Sequence, residues 1–159
     1  MSYGILTTRY NNDTYYEYIR WKQNNNYTGC IYNLKNKISY QNLYDRPYFV
    51  LEMNNDINKI MGIGIIKNKI SLRKVQIFSN PYLNRYCYEG KKHKTIFSQG
   101  ETCLSKEDYE LLFQLFEKNI FYGKGHMKRG QSMTHFPQSK MKKEHIDFLI
   151  KLMDENETI

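Results

Sequence analysis

What this chain does without narrows its class before any motif is read. It has no apolar run near the roughly 20 residues needed to cross a bilayer as a helix, and Met1-Ser-Tyr-Gly4 lacks the basic and apolar regions of a signal peptide. A soluble protein of the cytoplasm or nucleus is expected. Three cysteines, Cys30, Cys87 and Cys103, are odd in number, far apart and without a Cys-x-x-Cys pair. That argues against a disulfide scaffold and for free thiols in a reducing compartment, serving as small buried packing residues rather than nucleophiles. Alanine is absent, while Asn, Lys, Ile and Tyr are abundant. Codons for these favoured residues are mostly A and T, so the composition points to an AT-rich genome such as that of a large DNA virus or a parasite.

Acid is missing from one long stretch. Between Lys118 and Lys143 there are lysines, an arginine and two histidines but no Asp or Glu. Within it lies Tyr122-Gly-Lys-Gly-His-Met-Lys-Arg-Gly-Gln-Ser-Met-Thr-His-Phe-Pro137. Its positive field favours an anionic partner. Gly123, Gly125 and Gly130 permit tight turns, and Lys124, His126, Lys128, Arg129, Gln131 and Ser132 offer donors between them. The bland alternative is a solvated basic loop between helices. The glycines follow a helical pattern instead of a strand, so neither a P-loop nor a dinucleotide fingerprint fits. His126 and His135 have no Cys or carboxylate at ligand spacing, which argues against zinc, and no cofactor is indicated.

At 159 residues, with formal charge +8 and pI near 9.3, the chain suits a single domain over 1–159 that is drawn to nucleic acid, phosphorylated ligands or anionic lipid. Gly4–Tyr10 reads as an opening strand, followed by a helix capped by Asp13 or Thr14 and containing Trp21. Thr28–Tyr32 reads as a second strand, with a small extension over Ile38–Tyr40. Tyr48–Met53 and Asn58–Ile66 form a hairpin about Asn54-Asn-Asp56, in which Gly62 and Gly64 leave one face bare and imply a bulge, a barrel corner or a close neighbour.

Ser71–Phe78 alternates weakly as a further strand. Tyr86–Tyr88 and Lys94–Phe97 form a second candidate hairpin with a basic tip. Ser105 opens a helix ending near Tyr122, and Lys143–Met153 forms a last helix before an acidic tail that frays from about 154. The expected fold is α+β: a strongly bent sheet or small β-barrel of about five or six strands with about three flanking helices.

Gly4-Ile-Leu-Thr-Thr-Arg-Tyr10, the capped helix through Trp21, Gly29-Cys-Ile-Tyr32 and Tyr48-Phe-Val-Leu-Glu-Met53 turning into Ile60-Met-Gly-Ile-Gly-Ile65 together resemble the PUA-like superfamily, which includes EVE and YTH domains. The resemblance covers about the first two-thirds of the chain. It implies a curved barrel that binds RNA or DNA, in some members holding a modified base in an aromatic pocket. Trp21 falls inside the helix, where a YTH cage tryptophan would not stand. Gly123-Lys-Gly-His-Met-Lys-Arg-Gly130 and the composition also resemble proteins of giant DNA viruses, with no activity implied.

The functional expectation is a nucleic-acid-binding module. The glycine-rich loop 122–137 would contact phosphates through Lys124, His126, Lys128, Arg129 and Gln131. Residues 85–97 would form a second surface with Arg85, Tyr86, Tyr88, Lys91, Lys92 and Lys94. One alternative is a non-enzymatic virion or host-interaction protein that binds an acidic protein surface. Another is an enzyme on a phosphorylated or nucleic-acid substrate, with His126 or His135 as acid or base and Arg129 stabilising charge. Oligomeric state is open.

Overall fold

The computed structural model describes residues 3–39, 46–130 and 132–155. Its centre is a mixed five-stranded sheet made from distant parts of the chain. Strand β1 (Gly4–Tyr10) runs parallel to β3 (Pro47–Asn54), with Gly4 beside Tyr48 and Tyr10 beside Asn54. β3 turns tightly into antiparallel β4 (Lys59–Lys67), the expected hairpin, with an irregularity in register between Glu52 and Met53. The short strands β6 (His93–Thr95) and β9 (Met133–His135) complete the order β6-β4-β3-β1-β9. A second sheet pairs β2 (Cys30–Leu34) with β5 (Tyr86–Gly90), and β7 (Phe97–Ser98) pairs with β8 (Glu101–Thr102). Among the described residues the architecture is α+β, and no sheet closes into a barrel.

Strand alternation sorts the core onto two faces. On one, Ile5, Phe49, Leu51, Met53, Ile60 and Ile63 pack against the C-terminal helices. These are α2 (Lys106–Leu112), capped by Ser105, which passes through a π turn at Phe113–Glu117 into α3 (Lys118–Phe121), and then α4 (Lys143–Glu155). The π turn brings buried Glu117 to accept from the Ile60 amide at 2.8 Å. On the opposite face, Leu6, Tyr10, Tyr48, Val50 and Ile66 pack with α1 (Asn12–Asn24) and the β2/β5 sheet. Tyr18 of α1 stacks between Tyr10 and Tyr32, with ring centroids 5.3 and 6.1 Å away. Trp21 lies partly buried against Tyr27.

Several local expectations are corrected. The α1 cap is Asn11, whose side chain accepts from the Thr14 amide while Thr14 reciprocates. Residues 71–78 form no strand, because side chains take their backbone groups: Asn33 donates to the Val75 carbonyl, and Asn84 accepts from the Ile77 and Phe78 amides. The 86–97 segment is not a hairpin. β5 pairs with β2 and β6 with β4, so Lys91 and Lys92 carry the chain from one sheet to the other. The acid-free loop contains β9, which pairs with β1. Of the proposed extension at 38–40, Ile38 is buried and Tyr40 lies outside the described residues, as does most of the tail, 156–159.

Candidate functional site

The basic loop is tied to the end of the central sheet at three points. Arg9 Nε donates to the Met127 carbonyl at 2.6 Å, the Arg9 amide to the Ser132 carbonyl at 2.9 Å, and Asn55 Nδ2 to the Lys128 carbonyl at 2.9 Å. Gly123 and Gly130 adopt φ of +82° and +123°, turns that a side chain would strain. Held this way, the loop leaves Lys124 and Arg129 exposed and Lys128 half-buried. Lys140 approaches Gly125 from the other side. Among the described residues no carboxylate pairs with Lys124, Lys128, Arg129 or Lys140. Tyr122, 51 % exposed, opens the loop beside Phe113. Gln131 lies outside the described residues.

The two histidines of this stretch do not converge. His126 Nδ1 accepts from the Lys128 amide at 3.2 Å and so shapes the loop. His135 sits edge-on to Tyr48, its Nε2 3.2 Å from the Ser39 carbonyl. Neither has a carboxylate partner among the described residues, so the arrangement gives no support to a histidine acid-base pair.

The expected second surface is elsewhere. The Lys92 carbonyl accepts from the Ile65 amide, at the level of Phe49 on β3, whereas the loop is held by Asn55. At about 3.3 Å per residue this is roughly 20 Å along the sheet. Within this region Arg85, Lys91 and Lys92 are exposed. Tyr86 is half-buried, with Lys37 and Arg85 over its ring. Tyr88, 1 % exposed, shows no face to solvent, and its hydroxyl accepts from the Ile38 amide. Lys94 donates to the Leu152 carbonyl at 3.2 Å, which commits it to the end of α4.

A third cluster, between the sheet and α1, was not anticipated. Glu52 of β3 is completely buried, and its Oε2 accepts from Tyr32 at 2.6 Å and Tyr18 at 3.1 Å. His93 of β6, its side chain 7 % exposed, places Nε2 3.0 and 3.1 Å from the two carboxylate oxygens. The bare glycine face of β4 makes this room. A Cβ on Gly62 would lie 2.6 Å from Glu52 Oε1 and 2.9 Å from His93 Nε2, and one on Gly64 would lie 2.3 Å from the Tyr32 hydroxyl. Burial alone would push the Glu52 carboxyl up, but His93, the Tyr32 hydroxyl and the nearby Lys22 ammonium together outweigh it and hold it below its ordinary range. The same burial drives Tyr18 and Tyr32 well up and the neighbouring Cys30 thiol up to about 12, so these stay neutral.

Comparison with protein-family models, curated proteins and solved structures finds no match. No PUA-like domain and no viral relationship is identified by them. Among the described residues no group of three or more His, Cys, Asp or Glu could hold a metal ion, and no helix is long and apolar enough to cross a membrane.

From the sequence Glu52, His93, Lys22, Tyr18 and Tyr32 fall on several elements and receive no role in a site. A signal existed: Glu52 is the one charge inside Tyr48–Met53, and the strand opposite it carries glycines where side chains would otherwise fill the space.

Proposed function

We propose that this protein binds nucleic acid, preferring single strands. Lys124, Lys128 and Arg129 contact phosphates, and Tyr122 stacks on a base at the entry to the loop. The observation that carries this reading is a basic loop fastened by Arg9 and Asn55, with no carboxylate partner for its outward cations among the described residues. A mobile loop would lose entropy on every encounter; a fastened one holds its charges in place beforehand. Cations supply affinity without sequence, and an exposed ring beside them favours unpaired bases. Because the 85–92 surface lies roughly 20 Å away along the sheet, it would engage only a longer strand.

Fluorescence anisotropy with single- and double-stranded RNA and DNA over a salt series tests the proposal. Three phosphate contacts imply a log–log salt slope of about −2 on a single strand. Lys128→Glu with Arg129→Glu should weaken binding and flatten that slope. If affinity and slope are unchanged in this variant, the loop is not the phosphate site.

A further inference from the structure

We propose that the groove beside α1 binds a small anion carrying a planar or apolar body, anchored by the Lys22 ammonium. The groove has a volume of about 580 Å³ and lies between α1 and the β4/β6 edge of the central sheet. It is separate from the basic loop, and the inference does not rest on the nucleic-acid reading.

Lys22 carries the argument. It is only 9 % exposed, lies in the last turn of α1 and lines the groove. Its ammonium sits 5.3 Å from the centroid of the Tyr18 ring. Among the described residues it makes no hydrogen bond and no ion pair. The side chain is largely covered, but its ammonium is not sealed from solvent: it opens on the groove, where its three donors can meet an incoming acceptor. Glu52 is the obvious candidate acceptor, but both its oxygens already face Tyr18, Tyr32 and His93. Its charge steadies Lys22 from a distance without accepting from it. Burial still prevails, and the lysine titrates below its ordinary value.

The lining specifies the rest of the ligand. Tyr15, Ile19, Tyr27 and Met61 supply apolar walls, while amides such as Gln23 and Gln99 stand among the polar ones. Among the described residues Lys22 is the sole charged side chain in the lining, with no Asp or Glu to compete for it. One positive charge with no acceptor bonded to it, among flat or apolar walls, selects a single negative charge on a body of matching character. The volume falls within the roughly 300–1,000 Å³ typical of small-molecule sites. A carboxylate and a phosphate ester share this chemistry.

Isothermal titration of the full chain at neutral pH distinguishes them, using indole-3-acetate and adenosine 5′-monophosphate against their uncharged counterparts indole-3-acetamide and adenosine. At least one anion should bind, and at least about tenfold tighter than its neutral counterpart, the loss expected for one charge-assisted hydrogen bond. Lys22→Met should abolish that preference, and Lys22→Arg should restore part of it. Preference for the carboxylate or for the phosphate identifies the source, and either supports the site. Absence of binding by both anions at millimolar concentration would overturn the proposal, as would equal affinity for charged and neutral partners. The same titrations in the Lys128→Glu with Arg129→Glu variant exclude phosphate binding by the basic loop, so they decide the matter even if Lys22→Met fails to fold. A preference that survives there supports the groove, and one that disappears there overturns it. Because the groove is also read with the loop's Lys128 and Arg129 reversed in charge, failure here is distinguishable from failure of the loop as a phosphate site.

Discussion

Replacing Glu52 with alanine should be among the most damaging single changes in the molecule, and its cost should depend on His93. In the native protein the carboxylate is fully buried and accepts from Tyr18 and Tyr32 with His93 at 3.0 Å. Truncation leaves two hydroxyls and an imidazole facing a void, and breaking a buried pair this way costs about 3–5 kcal/mol. Against a total stability of about 5–15 kcal/mol for a domain that is a large share. For a chain of this length the melting temperature should fall by roughly 6–20 °C. His93→Ala should cost a comparable amount, because it strands the carboxylate with only its two tyrosine donors and the unbonded charge of nearby Lys22. The double variant removes both partners, so its cost should fall short of the sum by about 2–3 kcal/mol. Urea unfolding followed by fluorescence suits the test, since Trp21 is the single tryptophan and packs on Tyr27. Additivity within about 0.5 kcal/mol would refute the pairing as an energetic unit.

Other outcomes follow from the same geometry. Gly62→Ala should cost about 1–3 kcal/mol by overpacking, because its Cβ would press on Glu52 and His93; a neutral result in urea unfolding would mean the cluster is loose. The depressed Glu52 carboxyl sets a pH dependence: its stabilisation is complete above the unfolded value near about 4.3 and is lost as pH falls through the lower folded value, where the unfolded chain binds more protons. Glu52→Gln should flatten that part of an acid-unfolding curve, and an unchanged slope would count against the shift. Asn11→Ala should cost about 1 kcal/mol through loss of the α1 cap, read as a lower urea midpoint with unchanged m. Arg9→Ala should release the basic loop, so the Met127 amide, which donates to Ile120, exchanges faster while the amides of β3 do not; equal protection in both proteins would show that Arg9 does not hold the loop.

How far the sequence could be read depended on whether a feature was local. The β3/β4 hairpin was legible because two apolar runs flank Asn54-Asn-Asp56, and α2 because Ser105 stands before Leu112 and Phe116 at helical spacing. β9 was not, since Met133-Thr-His135 is too short to carry a pattern and exists only through pairing with β1. The mistaken 86–97 hairpin has the same cause: Glu89-Gly90 looks like a turn, and nothing nearby says that Tyr88 pairs with Tyr32. The loop's charge was visible in the sequence, but its fastening by Arg9 and Asn55 spans more than 70 residues and was not. The Glu52 cluster draws one residue each from α1, β2, β3 and β6. Only the bare faces of Gly62 and Gly64 hinted at it, and they recorded the space without naming its occupant.

The pairing of β9 with β1 also sets a timetable for synthesis. Thr7 sits opposite Thr134, so one side of β1 stays an open edge until the ribosome has released the segment around Met133. At about 5–20 residues per second the nascent chain spends several seconds with that row of backbone donors and acceptors unpaired. Open edges invite pairing with other chains, so a product truncated before Met133 should be more prone to aggregate than one truncated after β9. β9, only three residues long, then becomes the edge in place of β1. It is continuous with the basic loop, so the Arg9 amide's bond to the Ser132 carbonyl that helps fasten the loop forms only as β9 docks.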